Sequence, residues 1–152
     1  MKTKTICAAL LCALLCLVSC SRQTAPAGDS QEIPFQVAQR YFFKQGQPLP
    51  ENPKIISREA FDRLFGMAAV MGPDGRPTVI DFEKQFAVAV VWQVTDRSTE
   101  IEPISVTRVG DKLQYRYRVT EGEPQSFQMQ PLSIILIDRQ YVDLPVDLVQ
   151  TK

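Results

Sequence analysis

Hydrophobic and polar positions along the chain follow two patterns, and both predict β-strands. Residues 86–92 (FAVAVVW) and 132–137 (LSIILI) are nearly continuous apolar runs, which are typical of buried central strands. Residues 113–119 instead alternate between apolar and polar side chains. Such alternation predicts a strand with one face on the core and the other in solvent.

Shorter segments rich in branched and aromatic residues predict the remaining strands. They cover residues 36–44, 54–56, 100–109, 127–129 and 146–149, and Gly110-Asp111 marks a hairpin between 100–109 and 113–119. Helical spacing of apolar residues predicts one short helix over residues 58–65, with Ser57 as its N-cap and Gly66 as its stop. Short links between successive strands predict antiparallel pairing. The expected fold is mainly β (α+β): an antiparallel curved sheet or small open barrel of six to seven strands with one short helix.

The first twenty residues have the pattern of an export signal. Lys2 and Lys4 precede an apolar run over residues 6–18, which is shorter than the ~20 residues of a membrane-spanning helix. The run ends in Leu17-Val18-Ser19-Cys20, which resembles the lipobox of bacterial lipoproteins. This resemblance implies cleavage before Cys20 and attachment of membrane lipid to its thiol. The alternative is an ordinary signal peptide that happens to end in a cysteine.

These features divide the chain into three parts. Residues 1–19 are interpreted as a lipoprotein signal peptide, 20–32 as a flexible tether and 33–152 as a single β-rich domain. Ser21 stands where an aspartate favours inner-membrane retention in some bacteria. The expected localisation is therefore the bacterial cell envelope, with the chain lipid-anchored in the outer membrane and facing the periplasm or the surface.

Composition excludes several kinds of chemistry. The chain has no histidine, which excludes Ser-His-Asp and Cys-His catalysis and histidine-ligated zinc. All four cysteines lie within the first twenty residues. Seventeen basic and seventeen acidic residues balance, which argues against a strongly basic nucleic-acid binder. We expect a chain that is not an enzyme, with no catalytic residue, metal or cofactor; an acid–base enzyme that uses only carboxylates is the alternative.

Two groups of charged residues are further candidate sites. Asp96, Glu100 and Glu102 lie close in sequence, but such spacing is more typical of a solvated edge than of a metal site. A second group, Arg40, Arg116 and Arg118, lies near tyrosines and would either bind an anionic glycan or cover the wet face of a sheet. The near-zero net charge favours the wet face.

The segment after the predicted helix is the candidate partner-binding site. Its residues are Met67, Ala68, Ala69, Val70 and Met71. An exposed, extended segment of this kind can enter a protease cleft by adding a strand to the edge of the enzyme's sheet. The alternative is that these apolar residues pack beneath the helix as core.

A longer block carries a family resemblance. It begins at Phe65-Gly66, runs through Ile80-Asp81-Phe82 and ends at residues 86–90 (FAVAV). This block and the layout of most of residues 55–138 resemble the C-terminal domain of a bacterial protease complex family, that of its B-type accessory component. The size, the tether and the β-rich build also resemble potempin-type lipoprotein inhibitors.

Both resemblances imply the same class of function and assign no reactive residue. The expected function is that of a noncatalytic, lipid-anchored envelope protein that binds or inhibits a secreted or envelope protease. The alternative is a structural or adaptor lipoprotein that binds another envelope component or a glycan.

Overall fold

Strands dominate the computed structural model, which describes residues 30–68, 70–72 and 75–152. The ten strands are β1 (Ser30–Ile33), β2 (Phe35–Ala38), β3 (Tyr41–Phe43), β4 (Lys54–Ile55), β5 (Phe65–Met67), β6 (Gln85–Val91), β7 (Thr95–Val109), β8 (Lys112–Met129), β9 (Leu132–Asp138) and β10 (Val146–Thr151). Helix α1 (Arg58–Leu64) lies between β4 and β5, and a 3-10 turn (Arg139–Tyr141) follows β9. The predicted mainly β fold with a short helix is confirmed.

The strands form three sheets. Sheet A has the order β1-β7-β8-β10, sheet B the order β2-β9-β6-β4, and sheet C pairs β3 with β5. None of these sheets closes into a barrel among the described residues. Where β4 and β10 end the two larger sheets, Lys54 Nζ donates to the carbonyls of Val142 (2.7 Å) and Leu144 (3.0 Å).

One pairing differs from the predicted antiparallel arrangement. Strand β10 runs parallel to β8, with Val146 opposite Leu113 and Thr151 opposite Arg118. The reason lies in the connection: after β9 in sheet B, the chain passes through the 3-10 turn and crosses to sheet A. A crossing between sheets is not restricted to the antiparallel return of a tight hairpin.

Sheet B is the middle layer, and both of its faces are buried. On one face Phe86, Val88 and Val90 pack with residues of sheet A such as Val106 and Tyr115. The alternate residues of the same strand, Ala87 and Ala89, pack on the other face against α1 and its neighbours. This double burial explains why β6 and β9 are continuous apolar runs.

Helix α1 covers the second face of sheet B through Phe61, which is fully buried. The small side chains of Ala87 and Ala89 leave room for this ring. The rings of Tyr41, Phe65 and Phe82 surround Phe61 at centroid distances of 5.0, 4.9 and 5.7 Å. The helix begins as predicted, since the N–H of Ala60 donates to Ser57 Oγ at 3.2 Å.

The predicted helix stop at Gly66 is wrong. The helix ends at Leu64, and Phe65 is already extended, with φ −117° and ψ 145°. Gly66 lies inside β5, and a Cβ atom added there would lie 2.3 Å from Cζ of Phe42. The glycine is therefore needed because an aromatic ring lies directly on the backbone, not because the helix needs a left-handed cap.

Strands β1 and β2 form one bent segment that belongs to both large sheets. Only Pro34 separates them, and β1 pairs with β7 of sheet A while β2 pairs with β9 of sheet B. The last three residues of the predicted tether, 30–32, thus lie in a strand, whereas residues 20–29 lie outside the described residues. The predicted single strand over residues 36–44 is broken at Arg40, whose φ is +66°.

The predicted hairpin around Gly110-Asp111 is confirmed, and its strands are longer than expected. Gly110 has φ +62°, which suits a two-residue turn that begins with glycine. Residues 127–129, predicted as a separate strand, form the end of β8. On the buried face of β8, the hydroxyl of Tyr115 lies 3.3 Å from that of Ser133 in β9.

Tyr115 makes stability depend on alkaline pH. Burial raises the pKa of Tyr115 to about 12, although its hydrogen bond to Ser133 opposes the shift. An unfolded tyrosine titrates near pH ~10, so above this pH the unfolded state loses the proton first and the free energy of unfolding falls. The decline should reach about 2–3 kcal/mol at pH 12. Urea unfolding between pH 8 and 11.5 should show a shallower decline for Tyr115→Phe.

The matched control is Tyr141→Phe, which removes a hydroxyl from a half-buried tyrosine at the edge of the same core. It should keep the steep decline of the wild type. An identical pH dependence in Tyr115→Phe and wild type would contradict the assignment.

Candidate partner-binding site

The segment after α1 is exposed, not core. Met67 is 72% exposed, Val70 56% and Met71 102%. Ala68 is half-buried, and Ala69 lies outside the described residues. The alternative that this segment packs beneath the helix is therefore wrong for Met67, Val70 and Met71. The helix is instead packed by its own Phe61 and by Phe65.

Hydrogen bonds hold both ends of this segment to residues 39–41. On the incoming side, the N–H of Ala68 donates to the carbonyl of Arg40 at 2.9 Å. On the outgoing side, the N–H of Thr78 donates to the carbonyl of Gln39 at 3.2 Å, and the N–H of Gln39 donates to Thr78 Oγ1 at 2.9 Å. The hydroxyl of Tyr41 adds a bond to the carbonyl of Thr78 at 2.6 Å. We call residues 68–78 the braced loop.

Two further hydrogen bonds cross the braced loop itself. The N–H of Val70 donates to the carbonyl of Gly75 at 3.0 Å, and the N–H of Gly75 donates to the carbonyl of Gly72 at 3.1 Å. Gly75 is buried, and an added Cβ would lie 1.7 Å from the carbonyl oxygen of Val70. Gly72 has φ +122°, a conformation that L residues rarely adopt. Of the turn residues in this loop, Pro73 and Asp74 lie outside the described residues.

The register of sheet C shows which peptide groups β5 offers to a partner. Lys44 donates to the carbonyl of Leu64, and Ala68 donates to Arg40, each at 2.9 Å. Peptide groups alternate in direction along an antiparallel strand, so those of Leu64 and Ala68 point towards β3 and those of Met67 point away from it. The outer side of β5 is therefore the side on which an added strand would pair.

A groove lies beside this segment, and sequence reasoning did not find it. Its volume is about 500 Å³, and its lining combines Phe42–Gln45, Val94 and Gln128–Gln130. Phe42 is 48% exposed and Val94 55% exposed. No local pattern indicates such a groove, because β3, the start of β7 and the end of β8 are far apart along the chain.

The braced loop and the start of the described chain lie at opposite ends of the molecule. Ser30 pairs with Val109, beside the turn of the β7–β8 hairpin. The groove and residues 39–41 lie at the other end of β7, where Val94 precedes the strand. β7 has 15 residues, so about 45 Å separates its ends at ~3.3 Å per residue.

The structure does not bring the three arginines together. Arg116 and Arg118 lie on the outer face of sheet A, whereas Arg40 lies between β2 and β3. Arg118 is paired with Glu102 at 3.1 Å, which neutralises its charge. The face is therefore one of mixed charge, as expected of a solvated sheet surface.

The acidic residues also behave as surface groups. Glu102 is engaged by Arg118, and both side chains are about half exposed. Within residues 30–68, 70–72 and 75–152, no cluster of three or more potential metal ligands occurs. Across the same ranges, no helix has the length and apolarity needed to cross a membrane.

Comparisons with family models, curated proteins and solved structures give no match to this chain. The resemblance to the accessory component of a protease complex stays a prediction, carried by the block over residues 65–90.

Gly75→Ala should open the braced loop without unfolding the domain. The new methyl group must displace the carbonyl of Val70 and break the bond across the loop. We expect limited proteolysis with a nonspecific protease at low concentration to cut the variant between residues 68 and 78 at least ten times faster, while the urea midpoint changes little. The control is Arg76→Ala, an exposed neighbour that should keep the wild-type cutting rate.

Unchanged cutting in Gly75→Ala would mean that the loop does not depend on this close approach. A collapse of the urea midpoint would mean that the loop is part of the global folding unit.

Proposed function

We propose that this chain is a noncatalytic, lipid-anchored protein of the bacterial outer membrane that binds and inhibits a protease through Met67, Val70 and Met71. The observation that carries the proposal is the exposure of these apolar side chains on a loop that six hydrogen bonds hold in place. A monomeric protein gains nothing for its own core from such residues, whereas a partner that buries them gains about 1.5–3 kcal/mol for each.

The bracing matters because binding has an ordering cost. A flexible loop loses about 0.5–1.5 kcal/mol for each side chain that becomes fixed, in addition to backbone entropy. The hydrogen bonds to Gln39, Arg40 and Tyr41 meet part of this cost during folding. A pre-ordered, exposed strand end with outward-facing peptide groups is what a protease cleft accepts by strand addition.

The position of the loop fits an anchored protein. A tether that precedes Ser30 reaches the domain at the hairpin end, and the braced loop lies at the end remote from it. Lipid on Cys20 would therefore leave the loop directed away from the membrane. Several acyl chains would make the attachment effectively permanent.

Lipidation is tested on Cys20. The full chain, expressed in a bacterial host with labelled palmitate, should incorporate label and fractionate with membranes. Mass spectrometry should find the acyl groups on Cys20 at the new N-terminus. Cys20→Ala should lose the label and accumulate as an uncleaved precursor, whereas Cys16→Ala should be labelled like the wild type. An unmodified Cys20 peptide would contradict the anchor.

Protease binding is tested with the secreted and envelope proteases of the source bacterium, using casein turnover as the readout. The purified chain should reduce turnover at micromolar concentration and form a complex that survives gel filtration. Replacing Met67, Val70 and Met71 together by serine should weaken inhibition at least tenfold, because the buried apolar contact is lost. Leu49→Ser with Val79→Ser changes two equally exposed apolar residues elsewhere and should leave inhibition intact.

Absence of any complex at micromolar concentration would sink the proposal. A complex with an envelope glycan or a membrane protein, formed without any effect on proteolysis, would instead support the adaptor function.

A further inference from the structure

We propose that Met71 is the residue that enters the primary specificity pocket of the partner protease, and that this pocket is deep and apolar. The inference rests on the proposed function, and it adds the class of protease that the chain recognises. Four features of the described part of the braced loop support it.

The first feature is the exposure of Met71. Its side chain is as accessible as in an isolated extended peptide, at 102% of the reference value. Met67, in contrast, lies in β5 opposite Tyr41, where the ladder fixes its backbone. Of the three exposed apolar residues in the candidate site, Met71 therefore projects furthest from the domain.

The second feature is the direction of the chain around Met71. Its N-terminal neighbour, Val70, is tied by its N–H to Gly75, and its C-terminal neighbour, Gly72, accepts from Gly75 through its carbonyl. Both peptide flanks are thus held to one residue across the loop. Met71 stands at the bend between them, so its side chain is presented outwards without support from the core.

The third feature is the glycine that follows. Gly72 has φ +122° and has open space where a Cβ would lie. The residue therefore serves the backbone conformation and not close packing. A conformation restricted to glycine directly after the projecting side chain fixes how the chain leaves the bend.

The fourth feature is the chemistry of the side chain. Methionine is unbranched, flexible and apolar, so it can enter a narrow, deep pocket that a β-branched residue such as Val70 would not fill. Proteases differ in this pocket: that of trypsin carries a carboxylate, that of chymotrypsin is an apolar slot and that of elastase is small. Methionine suits the apolar slot.

The experiment measures inhibition constants of the acylated full chain in detergent against chymotrypsin, trypsin and elastase. The wild type should inhibit chymotrypsin at least a hundredfold more tightly than the other two. Met71→Lys should reverse this order, gaining at least a hundredfold against trypsin, because the ammonium group meets the carboxylate at the base of that pocket. Such a gain of inhibition cannot come from unfolding.

The matched control is Met67→Lys, which makes the same chemical change four residues away on β5 and should leave the order of the three enzymes unchanged. If wild type and Met71→Lys inhibit the same enzymes equally, the inference about Met71 is overturned while the proposed function stands. If Met67→Lys instead produces the switch, Met67 is the specificity residue and the inference is also overturned. If the wild type inhibits none of the three enzymes, the apolar-pocket assignment is wrong, and the assay with the bacterium's own proteases decides the proposed function separately.

Discussion

The architecture depends on burying both faces of sheet B. Strands β6 and β9 pair along their full length, from Gln85 opposite Asp138 to Val91 opposite Leu132. Their side chains alternate between the core shared with sheet A and the core shared with α1 and sheet C. A domain with a single buried sheet face would have one core; this one has two, separated by a backbone layer. That arrangement gives about 120 residues enough apolar burial to fold without a disulfide.

Sequence reasoning succeeded where a local pattern and a tertiary role coincide. The continuous runs of β6 and β9 predicted burial correctly, and the alternation in residues 113–119 placed Tyr115 inside and Arg116 outside. The N-cap at Ser57 was also predictable, because a capping bond joins residues three apart. Each of these features is decided within a few residues of where it is seen.

It failed where distant residues decide the outcome. Gly66 does not stop the helix because the ring that lies on it, Phe42, comes from another strand, and no pattern near the glycine indicates that ring. The parallel pairing of β10 with β8 follows from a crossover between sheets that no turn residue announces. The exposure of the Met67–Met71 segment could not be predicted for the same reason, since it depends on whether Phe61 and Phe65 already fill the space beneath the helix.

The two cores explain why the braced loop can be both apolar and exposed. The aromatic cluster around Phe61 closes the second core without help from residues after Met67. The next stretch is consequently free of packing duties and is held by backbone hydrogen bonds to residues 39–41 instead. Hydrogen bonds fix a conformation whatever side chains project from it. A loop held in this way can change Met67, Val70 or Met71 without loss of the fold, so the side chains that face a partner and the contacts that stabilise the domain are separate sets of residues.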